Sequence, residues 1–179
     1  MCAGNPFANR RQEQPRGRKD IKPITEEEVR RLGRIGLEMW GPEAYGLVVA
    51  GWITFGAWVG CRPGETFGVT LADLDFRAGQ VAIKRVKPRN TPRGKDYPVD
   101  IVVLPHAAQA AVQAIPSLPA TGPIFRTITG RPITKGSHRY VWDPVRKAFE
   151  RTLTVARRAE LLDGRPDLDF YELRHFCAR

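Results

Sequence analysis

The sequence is poor in the residues that build redox and metal centres. Of its 179 residues, three are cysteines (Cys2, Cys61 and Cys177), and three are histidines. The cysteines are far apart, odd in number and show no C-x-x-C spacing, which excludes a disulfide framework and a cysteine-based zinc site. They read as reduced thiols of a cytosolic protein. No metal-ligand cluster and no glycine-rich nucleotide loop occurs, so neither metal nor cofactor is expected. The N-terminus, Met1 to Pro6, lacks the apolar core of a secretory signal. The longest uncharged apolar run, Gly46 to Gly60, carries four glycines and falls short of the ~20 residues a membrane span needs. It predicts a buried helix and no membrane partner. No internal repeat is visible.

Acid is also scarce. Nineteen Asp and Glu stand against twenty-nine Lys and Arg, giving a net charge of +10 and a pI near 10.1. Such an excess calls for a polyanionic partner, most simply nucleic acid. An anionic membrane surface would need a long basic helix with a clean apolar face, and none is present. The aromatics are not interleaved with the cations along a sheet face, which argues against a stacking RNA-binding module.

Residues 1–24 form a basic linker or tail. Arg10, Arg11, Arg16, Arg18, Lys19 and Lys22 crowd it, opposed only by Glu13 and Asp20, and apolar periodicity is missing. A single folded unit is expected over 25–179. Thr25 and Glu28 make a capping box ahead of Val29, Leu32, Ile35 and Met39 at helical spacing. Gly41-Pro42 stops that helix, and a second, apolar nearly all round, runs from about Glu43 to Trp58. Gly60-Cys61-Arg62-Pro63-Gly64-Glu65 then breaks the chain. From Asp75 the period changes to two. Val81 and Ile83 alternate on one run and Val99, Ile101 and Val103 on the next, the pattern of half-buried strands. A long basic loop, Lys87 to Asp96, joins them. An alanine-rich helix follows over 107–115, a loop over 116–123, and a helix from Lys135 to about Leu153. Residues 154–162 either continue that helix or form a short one. Asp169 caps a last segment beginning at Phe170. The prediction is a mostly α, α+β domain with a small antiparallel hairpin.

Basic residues gather at element ends. Arg62 sits where the buried helix breaks, with Glu65 as a ready ion-pair partner. The loop from Lys84 to Lys95 holds six cations and no acid. The helix near Lys135 brings Lys135, His138, Arg139, Arg146 and Lys147. Tyr171 and Arg174, three apart, fall on one side of the final helix. Trp40, Trp52, Trp58 and Trp142 read as core or core-edge packing, and His106 as opening a helix.

Taken in order, three of these pieces resemble the tyrosine recombinase (phage integrase) family. Gly60-Cys61-Arg62-Pro63-Gly64-Glu65 resembles its T-G-x-R-x-x-E box. The hairpin with a loop lysine and the following Leu104-Pro105 resemble its second element. Phe170-Tyr171-Glu172-Leu173-Arg174-His175 resembles its H-x-L-R-H box. The resemblance covers about residues 25–179, and Asn5-Pro6-Phe7-Ala8 looks like the seam after the family's arm-like N-terminal domain. It implies site-specific recombination of double-stranded DNA through a phosphotyrosine, without a cofactor. Arg62 and Arg174 would hold the non-bridging oxygens of the reacting phosphate, and a loop lysine would protonate the leaving oxygen. Lys95 matches when counted back from Val102-Val103-Leu104-Pro105, Lys87 when counted forward from Val81; the Leu-Pro anchor favours Lys95. Catalytic residues are thus expected at Arg62, Lys95, Tyr171 and Arg174, and DNA contacts at Lys87, Lys135, Arg139 and His175. A full-length recombinase, or a second copy on DNA, is a further implied partner. The setting is a bacterial cytoplasm, associated with the nucleoid.

The sequence departs from that pattern twice. Tyr171 stands where the family most often has histidine; its hydroxyl can bond a phosphate oxygen but is a poor proton shuttle, with a free pKa of ~10. Beyond His175, neither the family's G-H box nor its nucleophilic tyrosine follows, and Tyr45, Tyr97 and Tyr140 do not match the nucleophile's place. The chain then reads as a truncated catalytic domain that binds DNA without cutting it; the alternatives are a non-catalytic DNA-binding regulator or the remnant of a decayed integrase. Without covering helices, apolar residues near Phe170, Leu173 and Phe176 are expected at the surface.

Overall fold

A computed structural model describes residues 23–42, 45–84, 99–162 and 167–177. The basic tail residues up to Lys22, the loop lysines Lys87 and Lys95, and the Gly164-Arg165-Pro166 break lie outside the described residues.

Helix α1 spans Glu26–Trp40, and its start is the one the capping box predicts. The Glu28 backbone N–H donates to Thr25 Oγ1 (3.2 Å), and the Thr25 N–H donates to Glu28 Oε2 (2.8 Å). Helix α2, Tyr45–Val59, is the buried apolar helix, with Val49, Trp52, Ile53, Phe55 and Ala57 in the core. Small residues set the α1–α2 approach. A Cβ on Gly36 would stand 3.0 Å from Val49 Cγ1. A four-residue helix α3, Pro63–Thr66, follows the break, with Pro63 at its first position, where a missing N–H costs nothing.

A three-stranded antiparallel sheet comes next: β1 Leu74–Asp75, β2 Gln80–Lys84 and β3 Val99–Val103, in the order β1-β2-β3. Val81 and Ile83 point into the core as predicted, but β3 is turned the other way. The register pairs Ile83 with Asp100 and Val81 with Val102, so Asp100 and Val102 face inward, and Val99, Ile101 and Val103 form an exposed row. The apolar alternation located the strand but not its face, because a period of two fixes only that alternate residues share a side.

Helix α4 (His106–Gln113) packs on α2, and His106 opens it as expected. Helix α5 spans His138–Thr152, so the start expected at Lys135 moves three residues on: Thr134 to Ser137 make a turn in which the Thr134 N–H donates to Ser137 Oγ (2.9 Å). Residues 154–162 resolve into a separate helix α6, Val155–Leu162. It is tied to the start of α1 by Arg157, whose Nε and Nη2 donate to the two oxygens of Glu28 at 2.7 and 2.6 Å, while Nη2 also reaches Pro23 O at 3.1 Å. Asp169 caps a 3-10 turn, Phe170–Glu172, by accepting the Tyr171 N–H, and α7, Leu173–Cys177, continues from it.

The final segment is not an uncovered apolar surface. Phe170 and Leu173 are fully buried and Phe176 is half-buried. Phe170 stacks on Trp52 with ring centroids 4.1 Å apart, and Trp142 meets it edge-on at 5.2 Å. Gly56 makes the room: a Cβ there would lie 2.7 Å from Phe170 Cζ. α2 itself covers the face that was expected to be bare.

Candidate functional site

Arg62 is the residue just before α3, in extended conformation (φ −66°, ψ 150°). Glu65, one turn on, reaches back. Its Oε2 accepts the Arg62 backbone N–H at 2.8 Å, and its Oε1 accepts Arg62 Nη1 at 3.1 Å. The Glu65 side chain has no exposed surface, whereas that of Arg62 is 45% exposed. The ion pair read from the sequence therefore exists, and it leaves the guanidinium open to solvent.

The same carboxylate receives the second arginine. Arg174 Nη1 approaches Glu65 Oε2 at 4.0 Å, with the Arg174 side chain 33% exposed. So two guanidiniums from segments far apart in the chain meet around one buried carboxylate. The approach is longer than a hydrogen bond, and Arg174 Nη1, itself buried, has no hydrogen-bond partner among the described residues. Two cations against one anion leave the spot positive, with donors available for an acceptor.

Packing holds the two arginine-bearing segments. Trp52 Nε1 donates to Thr66 Oγ1 (2.9 Å), and Thr66 Oγ1 donates to Pro63 O (2.7 Å), which fixes α3 on α2. The other side of this anchor is the Trp52–Phe170 stack, and Phe170 begins the turn that leads to Arg174. Sequence reading took Trp52 as core packing and missed this link. A Trp–Thr hydrogen bond across a helix break has no local signature.

The remaining expected residues fall in several places. Tyr171 is partly exposed, its ring edge-on to His175 at 5.7 Å. His175 Nε2 lies 3.9 Å from Glu172 Oε2, so His175 has an acidic neighbour at the end of the turn that leads into its helix. Lys135 lies in the turn before α5 and Arg139 in its first turn, both exposed. His138 Nδ1 is 2.9 Å from Lys135 O, and its ring packs near Phe67 at 5.7 Å. Arg146, one of the helix cations read from the sequence, is not at the surface. It is buried against Glu150 (3.1 Å), Asp143 and Asp167 (3.6 Å each), and Glu150 also accepts the Leu168 N–H at 2.9 Å. Arg146 thus clamps α5 to the segment that leads into Phe170. Lys147 remains exposed on the same helix. Among the described residues no group of histidine, cysteine and carboxylate side chains is disposed to hold a metal ion. No described helix is long and apolar enough to cross a membrane.

No protein-family profile and no curated protein matches this sequence. Solved structures do. The chain is similar to a XerA recombinase, with TM-score 0.56 and 14% identity over 92% of this chain and 51% of that one. It is also similar to the Tn1549 transposon integrase in complex with circular intermediate DNA, with TM-score 0.58 and 16% identity over 87% of this chain and 52% of that one. A third match is lambda integrase (residues 75–356) bound to DNA, with TM-score 0.54 and 16% identity over 87% of this chain and 49% of that one. The chain spans about half the length of these structures. What they share with it is the fold: a mostly helical unit with a small three-stranded antiparallel sheet, as in the integrase catalytic domain.

Proposed function

We propose that this chain binds duplex DNA as part of the catalytic domain of a site-specific recombinase, with Arg62 and Arg174 closing on one backbone phosphate. The observation that carries the reading is the meeting of the two arginines at buried Glu65. The carboxylate hydrogen-bonds the Arg62 guanidinium and lies 4.0 Å from that of Arg174, an arrangement with planar donors suited to the non-bridging oxygens of a phosphodiester. In a strand-cleavage step, negative charge growing on those oxygens is what such donors stabilise. Tyr171, one turn before Arg174, adds a neutral hydroxyl donor where the family most often has histidine. Lys95, with Lys87 as the alternative, would protonate the leaving oxygen. Lys135, Arg139 and His175 supply further phosphate contacts, which set register and affinity rather than sequence preference.

None of the tyrosines in this sequence is proposed as the attacking group. Tyr45 opens α2 and Tyr140 lies in the first turn of α5, and neither matches the place of the family's nucleophile. Incubation with a nicked duplex that traps covalent phosphotyrosine is expected to give no adduct, while the same duplex is retained non-covalently. The binding experiment is fluorescence anisotropy with a duplex across a salt series. The expected result is log K falling linearly with log salt, with a slope that implies several neutralised phosphates, and stronger binding of duplex than of single-stranded RNA. No duplex binding, or preference for the RNA, overturns the proposal.

A further inference from the structure

A second, chemically different cleft of about 600 Å3 opens at the far end of α2, a size within the ~300–1,000 Å3 typical of small-molecule sites. Its aromatic walls are Trp40 at the end of α1, Tyr45 at the start of α2 and Tyr140 in the first turn of α5. Two of the three are held in place. Trp40 and Tyr45 meet edge to face at 5.5 Å, and the turn 127–131 lines the cleft beside them. That turn is closed by its own bonds, Thr127 N–H to Arg131 O at 2.7 Å and Gly130 N–H to Thr127 O at 2.8 Å. The third aromatic, Tyr140, is 81% exposed, an unusual state for a large ring beside a concave site.

The charge of the cleft is one-sided. Among the described residues, Arg131 is the only charged one that lines it, and no carboxylate does. Lys135, exposed, stands between the lining residues Thr134 and Gly136. A purely apolar anchor would have no use for the cations, and an inorganic anion none for the rings. A flat ring carrying a phosphate uses both.

We propose that this cleft receives one unpaired nucleotide of the bound DNA, with its base against Trp40 and Tyr140 and its phosphate at Arg131. The proposal rests on the DNA-binding reading above. A paired base offers no free face, so the nucleotide must be out of the stack. The fifteen residues of α2 rise ~1.5 Å each, which separates this cleft from Arg62 by about 20 Å, or about six base steps along a duplex. The unpaired position would lie that far from the phosphate held by the arginine pair.

The test compares two duplexes bound by the full chain: one fully paired, and the same duplex with a single bulged thymidine at successive positions. At the favoured position the bulged duplex is expected to bind about fivefold or more tightly, the order that one base–aromatic stack contributes. Tyr140→Ala, a change at an exposed side chain, is expected to bring the two duplexes to the same affinity. Arg62→Ala is expected to lower both and keep their ratio. In parallel, dTMP is expected to quench tryptophan fluorescence where thymidine and inorganic phosphate do so less, and Trp40→Phe to remove that quench. Equal affinity for the two duplexes at every position, or a preference that survives Tyr140→Ala, overturns the proposal. So does quenching by thymidine equal to that by dTMP. If neither duplex binds but dTMP does so in a Tyr140-dependent way, the nucleotide site stands and the DNA-recombinase reading falls.

Discussion

At the scale of single residues, Glu65 and Gly56 decide most of the site. Glu65 is buried between two arginines, so its removal acts on both. Glu65→Gln keeps the volume and one acceptor but releases the negative charge, leaving two guanidiniums to repel each other. That change is expected to lower stability by about 1–3 kcal/mol, measured by urea unfolding. Gly56 is small because Phe170 lies where its side chain would be. Gly56→Ala gains about 1 kcal/mol of helix propensity and loses about 1–3 kcal/mol to overpacking against the ring. A net loss is expected in the same measurement, and a net gain would mean that Phe170 moves aside cheaply. Arg62, Glu65 and Arg174 could be picked out from the order of motifs along the sequence. That both arginines approach one carboxylate could not, because the contact joins segments far apart in the chain. Arg146 shows the reverse failure. A cation on an amphipathic helix reads as solvent-facing, yet here Glu150, Asp143 and Asp167 enclose it, and the acid beyond the helix, Asp167, carried no sign of the pairing.

At the scale of elements, legibility followed local signals. Thr25 with Glu28 gave the start of α1, and Gly41-Pro42 its end. The uncharged run gave α2. The start of α5 came three residues late because Ser137 bonds back to Thr134 and holds a turn there. The facing of β3 was not legible: the alternation puts Val99, Ile101 and Val103 on one side, and that side stands exposed on a strand at the edge of the described sheet. Such a row is a liability for edge-to-edge association. Ile101→Lys is expected to change stability by less than about 0.5 kcal/mol and to reduce concentration-dependent turbidity. A large loss of stability would show that the row is covered. The α1–α6 tie gives a pH dependence. Burial pushes the Glu28 carboxyl up, but hydrogen bonds from Arg157 and the Thr25 backbone, with the Arg157 charge, outweigh it and hold the group below its ordinary 4.5. Its contribution is then fully present above pH 4.5 and is lost as pH falls through the depressed folded value. Urea unfolding of Glu28→Gln should show a stability deficit near neutrality that narrows below that pH. A deficit unchanged down to the acid limit would contradict the ion-pair account.

At the scale of the whole molecule, the excess of ten positive charges fits the proposed phosphate-backbone partner. The burial of Phe170 and Leu173 shows how the segment carrying Arg174 is held against α2. Arg62 and Arg174 are proposed to act on one phosphate. The measurement that tests it most directly is a double-mutant cycle on duplex affinity at fixed salt, using the parent chain, Arg62→Ala, Arg174→Ala and the double variant, each checked for folding by circular dichroism. If the arginines converge, each single change weakens binding by about tenfold or more, and the double change costs clearly less than the two losses combined, a coupling beyond about 0.5 kcal/mol. If the losses simply add, the two arginines sit on separate phosphates. If neither change weakens binding, they are structural partners of Glu65, and the phosphate site is not where this account places it.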